Sequence, residues 1–383
     1  MCSPKVTPGT AAAFGGVTDS LRNFGIPVAC CADGPSGIRM DCGTNAFSLP
    51  NGTALGCTFN VDLVKKLYKM TGIELCKNKI DSLLGPGMNI HRNPLNGRNF
   101  EYISEDPILT GKISAAQVLG IQESGATATI KHFCANNQET SRRFVDSIVS
   151  ERALREIYLK GFEIAIKEGK ARSVMTSYNP INGIWTEGNY DLCTTILRKE
   201  WGFDGIVMTD WWAEANTEGE KSTRENKAPM VLAQNDLYMC VSNSLENPEN
   251  DNVKERFEAG EVTRSDLQRN AKNILKFILK SQAMLHELGL IKGEDLKGID
   301  ESEDENVSIK DIRYYYPNEG SNDIVIEGSK FLNHKGDVNV FGISLNKMGI
   351  YNIEVTMKSE QGPLAQLPLS IYYDNVLKHM ITV

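Results

Sequence analysis

Short apolar runs alternate with longer amphipathic stretches along the first three-quarters of this chain. Runs of the length and composition of buried strands are each followed by segments in which apolar side chains recur at helical spacing. The strand-like runs are 26–30, 80–84, 127–130, 172–175, 205–208 and 229–233. The clearest helical stretches are 61–77 and 150–170, with Ser150 placed to cap the second, and a further helix is predicted near 264–285.

This alternation predicts an α/β fold in residues 1–290. Strand–helix repeats over about 260 residues indicate parallel strands, and that length favours a TIM-type (β/α)8-like barrel over an open sheet. The acidic, turn-rich segment 291–307 is typical of a linker. Beyond it, short alternating runs predict a small all-β, sandwich-like domain over 308–383; these runs are 323–328, 337–344, 351–357 and 369–373.

Polar residues follow the carboxyl ends of five of the predicted strands. The clusters are 33–39, 89–107, 131–143, 177–179 and 210–212. Taken alone, Asp210 is explained as well by a helix cap as by a functional role. A helix cap leaves the other four clusters unexplained, whereas in a barrel all five lie on the face that carries the active site. We therefore expect Asp210 to be functional.

Composition narrows the class of protein. Hydrophobic residues make up 41% of the chain and charged residues 23%, as in ordinary globular proteins. The net charge of -8, without a basic stripe, argues against nucleic acid as a partner. No apolar run approaches the roughly 20 residues that span a bilayer. Nine cysteines without metal-like spacing, and a start that lacks the features of a secretory signal, predict a cytoplasmic protein with free thiols.

The residue types in the clusters indicate a ligand rich in hydroxyl groups. No glycine-rich phosphate loop precedes a helix, and neither H-x-H nor HExxH occurs, so we expect no nucleotide, metal or other cofactor. A carboxylate flanked by cations should have a lowered pKa and stay ionised, as a nucleophile requires. Cations, one imidazole, carboxylates and aromatic rings that suit a sugar come together in Arg98, Lys131, His132, Asp33, Asp210, Tyr178 and Trp211.

Other residues near the clusters have a structural interpretation. Met175 fits the core as well as a site. Arg39 is expected to be structural, and the long loop is expected to be braced by Arg92, Glu101, Glu105 and Asp106.

The ordered motifs resemble those of a known enzyme family. DGPSGIR, GPGMNIHRNPLNGRNFEYISEDP, KHF with NNQETSRR, VMTSYNPING and VMTDWW resemble the catalytic barrel of family 3 glycoside hydrolases, nearest to its bacterial β-glucosidases, over residues 8–285. The resemblance implies a retaining, exo-acting β-glucosidase with Asp210 as its nucleophile. It further implies that the sugar is bound by Asp33, Arg98, Lys131, His132, Arg142, Met175, Tyr178 and Trp211. Arg143, beside Arg142, could take that residue's role.

A retaining mechanism also needs an acid/base about 5–5.5 Å from the nucleophile. In β-glucosidases of this family, the resemblance implies that a separate α/β-sandwich domain supplies this Glu. The N-acetylglucosaminidase branch uses a His within a KHFPGHG-type stretch, and the sequence KHFCANNQE at 131–139 disfavours that branch. We therefore expect the acid/base in a complementary α/β-sandwich domain or subunit, either upstream in the same polypeptide or on another chain.

Other functions fit parts of the sequence. The chain could be a sugar-binding half-enzyme without turnover of its own, or belong to a β-xylosidase or another β-glycosidase of the family. An unrelated barrel enzyme, such as an amidohydrolase or aldolase, is disfavoured because metal-ligand spacing and a Schiff-base lysine are lacking. The leading expectation is a β-glucoside or oligosaccharide substrate, with no nucleic acid or membrane as a partner.

Overall fold

A mixed β-sheet lies at the centre of the larger of two compact units. The computed structural model describes residues 2–3, 11–15, 18–40, 46–241, 246–291, 313–317, 323–330, 341–343, 354, 368–373 and 376–382. One unit comprises 1–298 with 366–383, and the other comprises 299–365. The strands of residues 1–298 are β1 (Cys2–Ser3), β2 (Ala12–Gly15), β3 (Val28–Asp33), β4 (Ser82–Leu84), β5 (Thr127–Phe133), β6 (Ser173–Thr176), β7 (Pro180–Ile181), β8 (Ile184–Trp185), β9 (Ile206–Met208) and β10 (Tyr238–Met239).

The described part of the central sheet has six strands in the order β2-β3-β4-β5-β6-β9. Strand β2 runs antiparallel to β3, whereas the remaining pairs are parallel. A single bridge from Met208 to Leu237 leads towards β10, which pairs with β1 in parallel. The predicted α/β class is confirmed as a curled, mixed sheet, and the full eightfold barrel stays a prediction.

Helices join the strands and pack against the sheet. They are α1 (Asp19–Asn23), α2 (Gly52–Cys57), α3 (Val61–Lys77), α4 (Pro107–Glu123), α5 (Glu151–Ala153), α6 (Lys160–Lys167), α7 (Ala228–Leu232), α8 (Val253–Glu258), α9 (Arg264–Ile278) and α10 (Gln282–Glu287). The stretches Leu154–Tyr158 and Asp191–Glu200 are π-helical, and Thr186–Gly188 forms a 3-10 turn. Ser150 accepts a hydrogen bond from Ala153 N–H, so the predicted cap is present. Asp106 caps α4, which is the bracing role expected of it.

The strands are apolar on both sides because both faces of the sheet are buried. On one face, Cys30, Leu83 and Val174 pack with helical residues of α3, α4 and α6. On the other face, Cys31 and Met208 belong to a second cluster that includes residues of α9. The cysteines with described side chains are all free thiols.

The predicted strand at 229–233 is wrong, because this segment is the helix α7. Pro229 lies in the first turn, where its missing N–H breaks no helical hydrogen bond. The Asn252 side chain accepts hydrogen bonds from the N–H groups of Lys227 and Ala228, which caps the helix from a distant segment. The cap is supplied by a residue far along the chain, so the local pattern could not show it.

The region 308–383 is described only in part. Strands β11 (Arg313–Tyr315) and β12 (Phe341–Ile343) pair in parallel within the second unit. Strands β13 (Pro368–Tyr373) and β14 (Val376–Thr382) form an antiparallel pair. Residues 323–327 are not a strand, although one was predicted there, and Gly328–Lys330 is a 3-10 turn. Most of the linker 291–307 and of the run 351–357 lies outside the described residues, and the sandwich stays a prediction.

Across the described residues, no helix combines the length and apolarity needed to cross a membrane.

Candidate active site

Asp210 lies two residues beyond the end of β9, at the carboxyl edge of the sheet. Its Oδ1 accepts a hydrogen bond of 2.7 Å from the Trp211 N–H. Its Oδ2 accepts none from any residue that the structure describes. Trp211 and Trp212 form a turn and no helix follows them directly, so the helix-cap interpretation is wrong.

Burial controls the charge state of Asp210, which is only 8% exposed. Desolvation raises the pKa of its carboxyl above the ordinary value, although the charges of Arg98 and Lys131 and the Trp211 N–H act in the opposite direction. The expected lowering of this pKa is therefore wrong. The cations are close enough to oppose the cost of burial but do not form a direct ion pair with the carboxylate, and desolvation dominates.

Asp33 and Lys131 form a direct ion pair across the intervening strand β4. Lys131 Nζ lies 2.6 Å from Asp33 Oδ1, and Lys131 is buried. Burial acts to raise the pKa of Asp33, but Lys131 and the Gly34 N–H lower it below its ordinary value. Gly34 has a φ of 135°, and a Cβ there would lie 1.6 Å from the Gly37 oxygen, so the turn after Asp33 requires glycine.

His132 is neutral and buried, and its ring nitrogens contact Arg98 and Tyr102. Arg98 Nη2 lies 2.9 Å from His132 Nε2, and a guanidinium can only donate, so Nε2 is the acceptor. The ring proton is then on Nδ1, which donates to the Tyr102 hydroxyl at 3.3 Å. Burial and the charges of Arg98, Lys131 and Arg142 hold the pKa of His132 well below its ordinary value. The 3.8 Å approach of His132 Nε2 to Asp210 Oδ2 is therefore not an ion pair.

Two further residues, Glu101 and Asn89, hold Arg98 and His132 in place. Glu101 pairs with Arg98 Nε, which is the bracing role expected of it. Asn89 both donates to and accepts from the backbone of His132, at 2.8 and 2.9 Å. Sequence reasoning assigned no role to Asn89 and Tyr102. Both lie inside the motif GPGMNIHRNPLNGRNFEYISEDP, but nothing in its spacing shows that they contact His132.

Tyr178 connects the end of β6 to the segment after Asp210. Its hydroxyl donates to the Trp211 carbonyl at 2.8 Å. The guanidiniums of Arg142 and Arg143 lie over its ring, at 4.9 and 4.6 Å from the centroid. Arg142 donates to Glu139 Oε2, whereas Arg143 donates to backbone carbonyls of Trp211 and Trp212. The two neighbouring arginines therefore have different partners.

Met175 belongs to the apolar cluster beneath the polar groups. It is 2% exposed and packs with core residues that include Met208 and Leu237. Trp211 packs partly against the same cluster. The structure thus brings Met175 and Trp211 together in one apolar cluster.

Glu187 is a buried carboxyl group that sequence reasoning missed. It lies in the 3-10 turn Thr186–Gly188, and neither carboxyl oxygen has a hydrogen-bond partner among the described residues. Burial raises its pKa well above the ordinary value; Lys227 opposes this rise, whereas Glu214 and Asp210 reinforce it. Its spacing from Asp210 in the sequence gave no sign that the two acids interact.

No group of three or more His, Cys, Asp or Glu side chains that could hold a metal ion occurs within the described ranges. The charged groups of the site instead pair with one another, as in Asp33 with Lys131 and Arg98 with Glu101.

Comparison with protein families gives a match over most of the chain. The family described as Glycosyl hydrolase family 3 N terminal domain matches residues 12–277. This range contains every residue of the site described above.

Two curated relatives cover different shares of the chain. A protein named Beta-glucosidase from Ruminococcus albus is 51% identical over 377 residues, which is 97% of this chain and 38% of the relative. An Exo-alpha-(1->6)-L-arabinopyranosidase from Bifidobacterium longum is 37% identical over 69% of this chain and 34% of its own length.

Solved structures agree with the sequence matches. A β-glucosidase from Paenibacillus barengoltzii is 53% identical with a TM-score of 0.71, covering 84% of this chain and 33% of that protein. β-Glucosidase 3B from Thermotoga neapolitana, in complex with glucose, is 40% identical with a TM-score of 0.66, covering 73% of this chain and 39% of that one. The chain thus spans less than two-fifths of the length of each of these four relatives.

Proposed function

The chain belongs to glycosyl hydrolase family 3, and on that basis we propose that it is the nucleophile-bearing part of a β-glucosidase. The enzyme removes terminal β-D-glucosyl residues from a β-glucoside or oligosaccharide by a retaining double displacement. The observation that carries this proposal is the unpartnered Asp210 Oδ2 at the carboxyl edge of the sheet, among Arg98, Lys131 and His132.

In the first displacement, a carboxylate oxygen of Asp210 forms a bond to the anomeric carbon as the bond to the leaving oxygen breaks. The acid/base donates a proton to that oxygen, and in the second displacement it takes a proton from the water that attacks the glycosyl ester. Only ionised Asp210 can attack. The cations Arg98 and Lys131 favour this ionised form against the effect of burial.

The sugar is held by hydrogen-bond acceptors, hydrogen-bond donors and an apolar surface. Asp33 accepts hydrogen bonds from hydroxyl groups, whereas Lys131 and Arg98 donate them. Trp211 and Met175 provide an apolar surface for one face of the ring. Tyr178, Arg142 and neutral His132 complete the binding set.

The acid/base Glu lies outside this chain, on a complementary α/β-sandwich domain or subunit. The family resemblance supports this assignment, and the lengths of the relatives are consistent with it, because the chain spans only 38% of the Ruminococcus albus protein. We place the protein in the bacterial cytoplasm, with free thiols as support. We also propose that residues 1–290 complete a (β/α)8-like barrel and that 308–383 is an accessory β-domain after the 291–307 linker.

A second candidate is another pyranoside as substrate. The 37% identical relative named for L-arabinopyranoside cleavage supports this alternative. Two alternatives remain. The substrate is a β-xyloside, or this chain alone binds sugar without turning it over.

The nucleophile can be tested by covalent trapping. An activated 2-fluoro-glucoside should leave its sugar on Asp210, because the fluorine slows hydrolysis of the glycosyl ester, and peptide mass spectrometry locates the label. Asp210→Asn should lose both labelling and hydrolysis of an aryl β-glucoside. Asp204→Asn, a change at an exposed residue before β9, is the matched control and should behave as wild type. A label on any carboxylate other than Asp210 would refute the assignment.

A further inference from the structure

Trp212 has a backbone conformation that needs external support. Its φ of 53° lies in the left-handed region, which a bulky residue rarely adopts. Such conformations persist only where the surrounding structure holds them. One restraint comes from β10, because the Trp212 N–H donates to the Met239 carbonyl at 2.7 Å.

Arg143 provides two more restraints on the same segment. Its Nη1 donates to the Trp212 carbonyl at 3.0 Å, and its Nη2 donates to the Trp211 carbonyl at 3.4 Å. The planar guanidinium suits this task, since it presents several N–H groups in a fixed geometry. One arginine side chain thus contacts two successive carbonyls directly after Asp210.

Arg143 is itself held at both ends. Its backbone carbonyl accepts a hydrogen bond of 2.9 Å from Trp185 Nε1. Its guanidinium lies 4.6 Å from the ring centroid of Tyr178, whose hydroxyl donates to the Trp211 carbonyl. Arg143 therefore couples the segments after β5, β6 and β9 at the point where the Asp210 loop begins.

We propose that Arg143 is a positioning residue that fixes the orientation of the Asp210 carboxylate through the Trp211–Trp212 backbone. This inference rests on the proposed role of Asp210 as nucleophile. The link is direct, because the Trp211 N–H holds Asp210 Oδ1 at 2.7 Å. A shift of the Trp211 backbone therefore rotates the free Oδ2, and a small misplacement of a reacting atom can cost about a hundred-fold in rate.

Arg142 offers an internal comparison. Its guanidinium also lies over Tyr178, but its hydrogen bond goes to the side chain of Glu139. We expect loss of Arg142 to weaken sugar binding, whereas loss of Arg143 should slow attack on a sugar that is still bound normally.

The test measures how fast Asp210 is labelled by 2,4-dinitrophenyl 2-deoxy-2-fluoro-β-glucoside. In this step an Asp210 oxygen forms the bond to the anomeric carbon, and dinitrophenolate leaves with its electron pair, so no proton donor is needed. Arg143→Met should reduce the labelling rate constant about ten- to hundred-fold, with glucose affinity unchanged within about two-fold. Arg143→Lys, which keeps the charge but cannot present the same fork, should give an intermediate rate.

Two variants serve as comparisons. Arg152→Met, at a side chain that is 84% exposed on the next helix, should label at the wild-type rate. Arg142→Met should weaken glucose affinity more than it slows labelling at saturation.

The two proposals fail in different ways. If the wild-type label lies on another carboxylate, the proposed nucleophile is wrong. If the wild type labels on Asp210 and Arg143→Met does so equally fast, only the positioning role is overturned. Equal losses of rate and glucose affinity in Arg143→Met would also overturn it. If Arg143→Met does not fold, a wild-type rate in Arg143→Lys decides against the proposal.

Discussion

Two aspartates of the site show how immediate surroundings set the charge of one residue type. Asp33 ends β3, Asp210 lies two residues beyond β9, and the charge of Lys131 acts on both. Asp33 has a direct ion pair with Lys131 at 2.6 Å, and its pKa is lowered despite burial. Asp210 has one backbone hydrogen bond and cations at longer range, and burial raises its pKa. We infer that Asp33 is kept ionised as a hydrogen-bond acceptor, while Asp210 keeps an oxygen free for reaction.

The Asp33–Lys131 pair leads to a prediction about sugar binding. Asp33→Ala or Lys131→Ala should weaken glucose binding roughly ten- to hundred-fold, because a charged partner to a buried hydroxyl is worth about 1.5–3 kcal/mol. Titration with glucose measures the effect. Lys65→Ala, which breaks an exposed pair with Glu123, is the control and should not change binding. Glucose affinity that is unchanged in both site variants would contradict a shared pocket.

At the scale of elements, the site depends on how the segments after the strands are tied to each other and to the sheet. A different tie lies at the amino edge of the sheet, where Asp81 comes just before β4. Its carboxyl oxygens accept from the N–H groups of Cys30 in β3 and Ala283 in α10, both at 2.9 Å. Burial raises the pKa of Asp81 to about 6. The unfolded chain, with an ordinary pKa near 4, binds this proton less tightly.

This difference predicts how the stability contributed by Asp81 depends on pH. The folded state binds the proton more tightly, so the contribution is present below about pH 4 and is lost as pH rises through about 6. The free energy of unfolding of wild type, relative to Asp81→Asn, should fall by about 3 kcal/mol across that window. Denaturant titrations of both proteins at several pH values measure this difference.

The comparison with Asp81→Asn isolates one titration. The hydrogen bonds that asparagine cannot make change the stability equally at every pH, so only the slope reports the pKa. The prediction is contradicted if the free energy of unfolding of wild type, relative to Asp81→Asn, stays constant or increases as pH rises. Either result would show that burial does not raise the pKa of the Asp81 carboxyl.

At the scale of the whole molecule, the sharpest prediction follows from the proposal that the acid/base lies outside the chain. Residues 1–383 alone should cleave natural disaccharides poorly, since protonation of a poor leaving group is commonly worth about 10²–10⁴-fold. A dinitrophenyl glucoside needs little protonation and should still transfer its sugar to Asp210. The glycosyl-enzyme should accumulate, because no base activates water. Mass spectrometry of the intact protein measures this species.

Azide is the diagnostic nucleophile for that intermediate, because it needs no general base. Its addition should restore turnover and yield β-glucosyl azide, and supplying the complementary domain should restore disaccharide cleavage without azide. Asp210→Asn is the control and should give neither product. Cleavage of cellobiose by the isolated chain at ordinary enzyme rates would place the acid within it, and the loop 101–106 would then be the first place to examine.

The sequence by itself determined the α/β class and most of the strands. An apolar run such as 205–208 is a local property of strands buried on both faces, and the helix over 61–77 follows from its own periodicity. Most of the candidate residues could be proposed for a similar reason, since they lie at or just beyond the carboxyl ends of strands in ordered motifs. The residues 229–233 show the limit, because the cap that makes them helical comes from Asn252.

Only the tertiary structure decided the interactions that connect these residues. It showed that burial outweighs nearby cations at Asp210, that His132 is neutral, and that Arg142 and Arg143 have different partners. It also brought in Asn89 and Tyr102, which lie inside a quoted motif without an assigned role, and Glu187, which no quoted motif contains. The physical reason is that pKa values and hydrogen bonds depend on distances and desolvation between segments far apart in the chain, whereas apolar periodicity is set by neighbours along it.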